Sequence, residues 1–345
     1  MAAGLLFVLP GLLVMLGLSA LYVVHGRSEW AGPVLLGLKA AVIALVAQAL
    51  ARISRRVVRD RAGLIVAILA FALLTFTILP FPLLILAAGL AGWLLDGGAA
   101  VEAPPMMEGG RSTLRTMLVC LALWLAPVAA AWIVAPQSIL ARMGALFSGL
   151  AVVSFGGAYA ALAYLGQATS AFGWLTPDQM LDGLGLAETT PGPLVLVFTF
   201  VGFVGAFQAA SPPWAWIAGL AGGLMAAWTT FAPSFLWIFA GGPFFERLRA
   251  QARPARALAM VSAASVGVIG QLAIWFAVHF LFGSSKTWRG GVLKVSLPEL
   301  ASLNPAAVGL TGLALVLAIF LRLPVLALVA VMVGAGLALK IVGFG

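Results

Sequence analysis

The sequence predicts an all-α polytopic membrane protein of about eleven transmembrane or re-entrant helices. Composition is the first reason: 63% of the 345 residues are hydrophobic and 8% are charged, with a mean hydropathy of +1.14, far from a soluble domain. The second is that uncharged windows long enough to cross a bilayer recur along the chain. Residues 143–177 and 189–245 hold no charged side chain at all. The third is the lack of the short alternating segments a membrane β-barrel needs. The net charge of +9 does not imply nucleic acid, because the basic residues cluster between hydrophobic stretches, where retention in the cytoplasm explains them. The lone Cys120 excludes an intrachain disulfide framework and a Cys-based metal site. Residues 4–24 have no basic leading segment and run on into further spans, so no cleavable signal peptide is expected.

In chain order, spans are predicted near 4–24, 32–51, 63–79, 82–95, 116–135, 141–165, 193–210, 214–245, 257–282, 305–321 and 323–342. Pro80-Phe81-Pro82 makes a tight turn between two short helices. Pro233 is expected to break the eighth span. Residues 96–115 form the longest polar linker, read as cytoplasmic, and divide a first transmembrane repeat (1–95) from a second (116–345). A polar insert at 284–304 hints at a small hairpin through Thr287, Val292 and Val295. Arg52, Arg55, Arg56, Arg59 and Arg61 form one basic cluster; Arg247, Arg249, Arg253 and Arg256 form another. Both should face the cytoplasm, which puts 25–31 and 284–304 outside.

An internal repeat is visible at a spacing of 223 residues, where Pro10 matches Pro233, Ala40-Ala41 match Ala263-Ala264, and Gln48 matches Gln271. Farther on, Pro82, Leu86, Ala88 and Gly92 match Pro324, Leu328, Ala330 and Gly334 at 242. The two copies fall in opposite orientation, an inverted-topology repeat of the kind found in many secondary transporters. Residues 141–193 have no first-half counterpart, so the first repeat is expected to be incomplete, by roughly 80 residues in that register.

The chemistry-bearing stretch is Asp182-Gly-Leu-Gly-Leu-Ala-Glu-Thr-Thr-Pro-Gly-Pro193. A polar, helix-breaking segment between apolar runs is costly in a bilayer unless it lines a cavity or is packed in protein. Thr176-Pro177-Asp178 reads as a helix start, Gly183 and Gly185 as its stop, and Pro191 and Pro193 as the restart at Leu194. Two helix N-termini near one midmembrane point would offer free N–H groups to an anion. Thr189, Thr190, Pro191, Gly192 and Pro193 are therefore candidate substrate-binding residues, with Gly156 and Gly157, which could equally serve close helix packing. Lys39, mid-span, is the candidate cation for the anion's charge. Glu188 is read as a proton carrier or as partner to a cation such as Lys39. Asp178 is grouped with it, although Asp178 and Asp182 could simply cap and solubilise a short helix. Arg142, Arg322 and Lys340 read as interfacial anchors, and His25 and His279 do not form a metal pair. No nucleotide-binding, nucleophile or metal motif occurs, so no enzyme activity, cofactor or metal is expected.

Three stretches resemble the second-half signature of the chromate transporter (CHR) family: Phe155-Gly156-Gly157, Leu175-Thr-Pro-Asp-Gln179 and Gly183–Pro193. Phe231–Leu236, Gly242–Arg249 and Ala263–Ile269 are similar to it too. The resemblance implies a bacterial inner-membrane protein that exports chromate, confers resistance to it and is inhibited by sulfate. Long family members carry an earlier Phe-Gly-Gly-Pro and Pro-Gly-Pro region that is absent here, in keeping with the shortened first repeat. Expected partners are the oxyanion and the lipid bilayer, with no nucleic acid; a homodimer is left open. The alternatives are an anion channel, a sulfate transporter, an enzyme acting on lipid-linked phosphate, and a truncated non-functional chain.

Overall fold

The computed structural model describes residues 2–95, 111–153, 158–241 and 251–343. Helix α1 spans Ala2–His25, α2 Ala31–Val57, α3 Arg61–Phe76 and α4 Phe81–Leu94. After residues 96–110, which lie outside the described set, come α5 (Arg111–Val134), α6 (Ile139–Val153), α7 (Ala158–Ala171), α8 (Pro177–Thr189) and α9 (Val197–Ala209). Then follow α10 (Ala215–Leu236), α11 (Ala252–Leu281), the hairpin strands β1 (Ser285–Gly290) and β2 (Leu293–Pro298), α12 (Pro305–Leu315) and α13 (Val325–Ile341). Helices α1, α2, α5, α10 and α11 are each long and apolar enough to cross a membrane. The chain is a multi-pass, all-α membrane protein.

Four expectations need correction. Helix α5 begins at Arg111, inside the stretch read as linker. Pro233 does not break α10: it sits inside the helix, which continues and only then loosens into a wider turn over Trp237–Gly241. The predicted span 141–165 is two helices, Ile139–Val153 and Ala158–Ala171, since Arg142 in the first and Phe172 just past the second line the same hollow. Gly183 and Gly185 do not end α8, which runs on to Thr189. A glycine inside a helix is a stop only if nothing needs its missing side chain. Here Gly183 makes room for the Phe200 ring and Gly185 for Leu38.

The first and second halves interlock. Helix α2 packs on α11, α12 and α13, and reciprocally α11 packs on α2, α3 and α4. Burial repeats with the sequence: Gly37, Leu38, Ala40, Ala41 and Val42 are buried, and so are Met260, Val261, Ala263, Ala264 and Ser265, 223 positions on. Beyond the hairpin the spacing is 244. Asp60 and Asn304 are side-chain N-caps of α3 and α12, and Pro80 and Pro324 are the N-caps of α4 and α13. Leu84, Ile85, Ala88 and Gly92 are buried in α4, as Leu328, Val329, Met332 and Gly336 are in α13. The spacing of 242 rested on Pro82, which lies inside the first turn of α4, whereas the second copy keeps only the capping proline. Gly92 faces the Arg256 carbonyl and Gly336 the Pro33 carbonyl, both too near for a side chain, while Gly334 has open space around it.

The ends of the bundle are fixed by cross-links. At one end Arg256 pairs with Asp60 beside the Arg52–Arg61 cluster. At the other, Ile78 N–H donates to the Val292 carbonyl at the hairpin tip, and Lys340 pairs with Glu29 and sits 4.2 Å over the Trp30 ring. These are called the basic end and the hairpin end below.

Candidate functional site

Helices α8 and α9 form a half-depth helical hairpin. Each has 13 residues, about 20 Å of helix against a hydrocarbon core of about 30 Å. Thr176 caps α8 in a full capping box with Gln179 and Pro177 fills its first position, so its start is strongly specified. That start lies towards the hairpin end, where Asp178 meets Lys39. Helix α9 returns the same way, since Gly205 packs on Trp174 and Leu175 just before α8. The turn between them, Thr190-Pro191-Gly192-Pro193, therefore sits deep in the bundle. Its Pro191 carbonyl lies against Gly11 in the middle of α1, where no side chain would fit. Gly192 has φ +127, a conformation that favours glycine.

Helices α6 and α7 repeat this arrangement. Tyr159, at the start of α7, reaches Glu188 at the end of α8, and α7 ends at Ala171, just before α8 begins. Trp132, Arg142, Phe172, Phe81 and Pro82 line one hollow of about 370 Å³, so α6 starts and α7 finishes at the hairpin end. The residues between, including the candidates Gly156 and Gly157, lie outside the described residues. Helix α7 contacts the Leu194–Leu196 turn that leads into α9. The α8 start, expected to be one of two helix starts near one point, is about 20 Å away at the other end of its helix.

The polar groups divide into two sets. At the turn, Tyr159 donates to Glu188 Oε1 at 2.9 Å. The Thr189 and Thr190 hydroxyls donate to the Leu186 carbonyl at 2.8 and 2.9 Å, which commits their protons to the helix end. Pro191 and Gly192 are exposed at this depth. Two turns towards the hairpin end, Lys39 Nζ lies 3.1 Å from Asp178 Oδ1 and 3.4 Å from Asp182 Oδ1, and Tyr22 donates to Asp182 Oδ2 at 2.8 Å. Lys39 is thus matched by Asp178 and Asp182, and Glu188 by Tyr159; Lys39 and Glu188 do not form the pair that sequence suggested. Asp182, read as a capping or solubilising residue, is 4% exposed. The sequence alone assigns neither tyrosine a role, although a chain with three tyrosines that gives two of them to carboxylates within the bundle offers a faint signal.

The family model of the chromate transporter matches residues 1–93 and 141–339, most of the chain. This chain belongs to the chromate transporter family. It is 32% identical to a chromate transport protein of Pseudomonas aeruginosa, over 78% of this chain and 60% of that protein. It is 27% identical to a probable chromate transport protein of Synechococcus elongatus, over 86% and 72%, and 27% identical to a chromate transport protein of Cupriavidus metallidurans, over 77% and 61%. The chain spans about three fifths of the length of the Pseudomonas and Cupriavidus relatives. No solved structure matches it. Within the chromate transporter match fall α2 with Lys39 and the α6–α9 region from residue 141 onward.

Proposed function

We propose that this chain is a secondary-active transporter that carries chromate, a tetrahedral dianion, out of the cytoplasm across a bacterial inner membrane and so confers chromate resistance. It is not an enzyme in this reading. The observation that carries the proposal is the turn 190–193, a break with Pro191 and Gly192 exposed between two half-depth helices, held deep in the bundle of a chromate transporter family member. Non-helical backbone at membrane depth is tolerated where it lines a polar cavity. The helix start at Leu194, leading into α9, directs N–H groups and a positive dipole end towards it, which suits an oxyanion. Reciprocal packing of α2 and α11, together with repeated burial, supports two inverted-topology repeats and alternating access around that point. The basic end is then cytoplasmic. Outward movement of a dianion is favoured by a negative-inside potential, by about 2.3 kcal/mol per charge per 100 mV.

Purified full chain in proteoliposomes should move chromate, and excess sulfate should compete. Gly192→Val, which forces a branched side chain into the positive φ of the turn, should cut flux at least tenfold while the protein still elutes as a folded species. Unchanged flux in that variant, or steady single-channel conductance in planar bilayers, would count against the transporter reading.

A further inference from the structure

We propose that Asp182 is the proton-carrying group of the transport cycle and exchanges its proton with the hairpin end through Asp178; this rests on the transporter reading above. Asp182 is buried, with its side chain 5% exposed, while Asp178, one helical turn earlier, is 63% exposed. One carboxylate therefore meets solvent and the next, on the same helix face, does not. Between them stands Lys39, with a side chain 14% exposed. Asp182 uses its two oxygens unequally: Oδ2 accepts from Tyr22, whereas Oδ1 faces Lys39 at 3.4 Å and, among the described residues, has no hydrogen-bond partner. A buried carboxylate oxygen left unbonded is expensive to keep ionised. It is the place where a proton adds.

The step balances simply. One ammonium against two carboxylates gives the cluster a net charge of −1. A hydronium ion in the solvent gives its proton to Asp178; that O–H bond breaks as a new one forms at Asp182 Oδ1, Asp178 returns to its carboxylate, water is left behind, and the cluster becomes neutral. Lys39 is then matched by Asp178 alone, and the excess negative charge that would repel a dianion is gone. Proton and oxyanion thus favour each other's presence, a linkage that holds in either direction of travel. A dianion leaving with one proton still carries negative charge outward.

Among the described residues, few other groups can interfere. Helix α1 presents Tyr22, with Arg27 beyond it, and α2 presents Lys39. Helix α9 has no titratable side chain. On α7, Tyr159 is bonded to Glu188 and Tyr164 is stacked on Phe81. On α13, Lys340 is held by Glu29. On α11, Arg256 is held by Asp60 at the opposite end, and His279 bonds the Trp275 carbonyl.

The test is infrared difference spectroscopy on the purified full chain, titrated from about pH 8 to about pH 5, alongside chromate flux over the same range. Acidification should produce the C=O stretch of a buried carboxylic acid. Asp182→Asn should lose that band and flatten the pH profile of flux, while Glu188→Gln keeps the band. Asp182→Glu, which tests the assignment if the amide variant misfolds, should keep the band at a shifted frequency. A band retained in Asp182→Asn, lost in Glu188→Gln or unmoved in Asp182→Glu would overturn the proposal. The spectrum needs no chromate, so a wild type that shows the band but moves only sulfate would refute the choice of substrate and leave the proton site standing.

Discussion

Asp60 serves two partners at the start of α3. Its Oδ1 accepts the Gly63 N–H at 2.8 Å and its Oδ2 meets Arg256 of α11. These two contacts, the backbone bond first, hold its carboxyl below the usual carboxylate range. A depressed folded-state value means that the stabilisation is present above the ordinary pKa of Asp and is lost as pH falls through the lower folded value. Melting temperatures of wild type and Asp60→Asn should therefore differ at neutral pH and converge in strong acid. Asp60→Ala, which also loses the cap, should melt below both at neutral pH. A second prediction concerns Gly183: Gly183→Val drives a branched side chain into Phe200 and should cost about 1–3 kcal/mol in detergent unfolding. At this scale sequence showed which groups are unusual, because Lys39 and Glu188 are charges in apolar surroundings. It did not show their partners, since Tyr22 and Asp182 lie 160 positions apart and only the packing of α8 on α1 and α2 joins them.

At the scale of elements, starts were far more legible than ends. Thr176-Pro177 and Asn304-Pro305 carry their own caps, a signal written in adjacent residues. The end of α8 was misread because the space left by Gly183 and Gly185 is filled by residues from other helices. The half-depth hairpins were also hidden, since residues 141–165 are apolar enough to pass for one span and nothing local says that the chain turns back. This reading places the loop at 172–176 on the same face as the β-hairpin. Phe172→Cys in a Cys120→Ala background should react with a membrane-impermeant maleimide from the outside of intact cells. Arg59→Cys, at the basic end, should react only after the membrane is opened. Labelling of Phe172→Cys from the inside alone would mean that α6 and α7 cross the membrane together.

For the whole molecule, the repeat was visible in sequence but its register was not. Apolar residues match at several offsets, and only burial and capping separate 244 from 242. Substitution can tell them apart. Gly92→Leu and Gly336→Leu each push a side chain into the backbone of a facing helix and should destabilise by similar amounts, at least about 1–3 kcal/mol. Gly334→Leu meets open space and should leave the melting temperature within a degree or two of wild type, by a ΔΔG under about 0.5 kcal/mol. Equal damage from Gly334→Leu and Gly92→Leu would restore the register of 242.

The interlocking of α2 with α11–α13 also sets a schedule for biogenesis. Helix α2 leaves the ribosome early, yet the helices that cover its buried face begin at Ala252, and at roughly 5–20 residues per second that cover takes about 10–40 s to be made. Lys39 waits roughly 6–24 s for the two carboxylates of α8 on the same clock. During that interval its ammonium is an unmatched charge within reach of lipid, and its long side chain must stretch towards the headgroups. The newly made chain is thus most exposed to quality control between the completion of its second helix and the arrival of its eighth, long before the folded bundle itself exists.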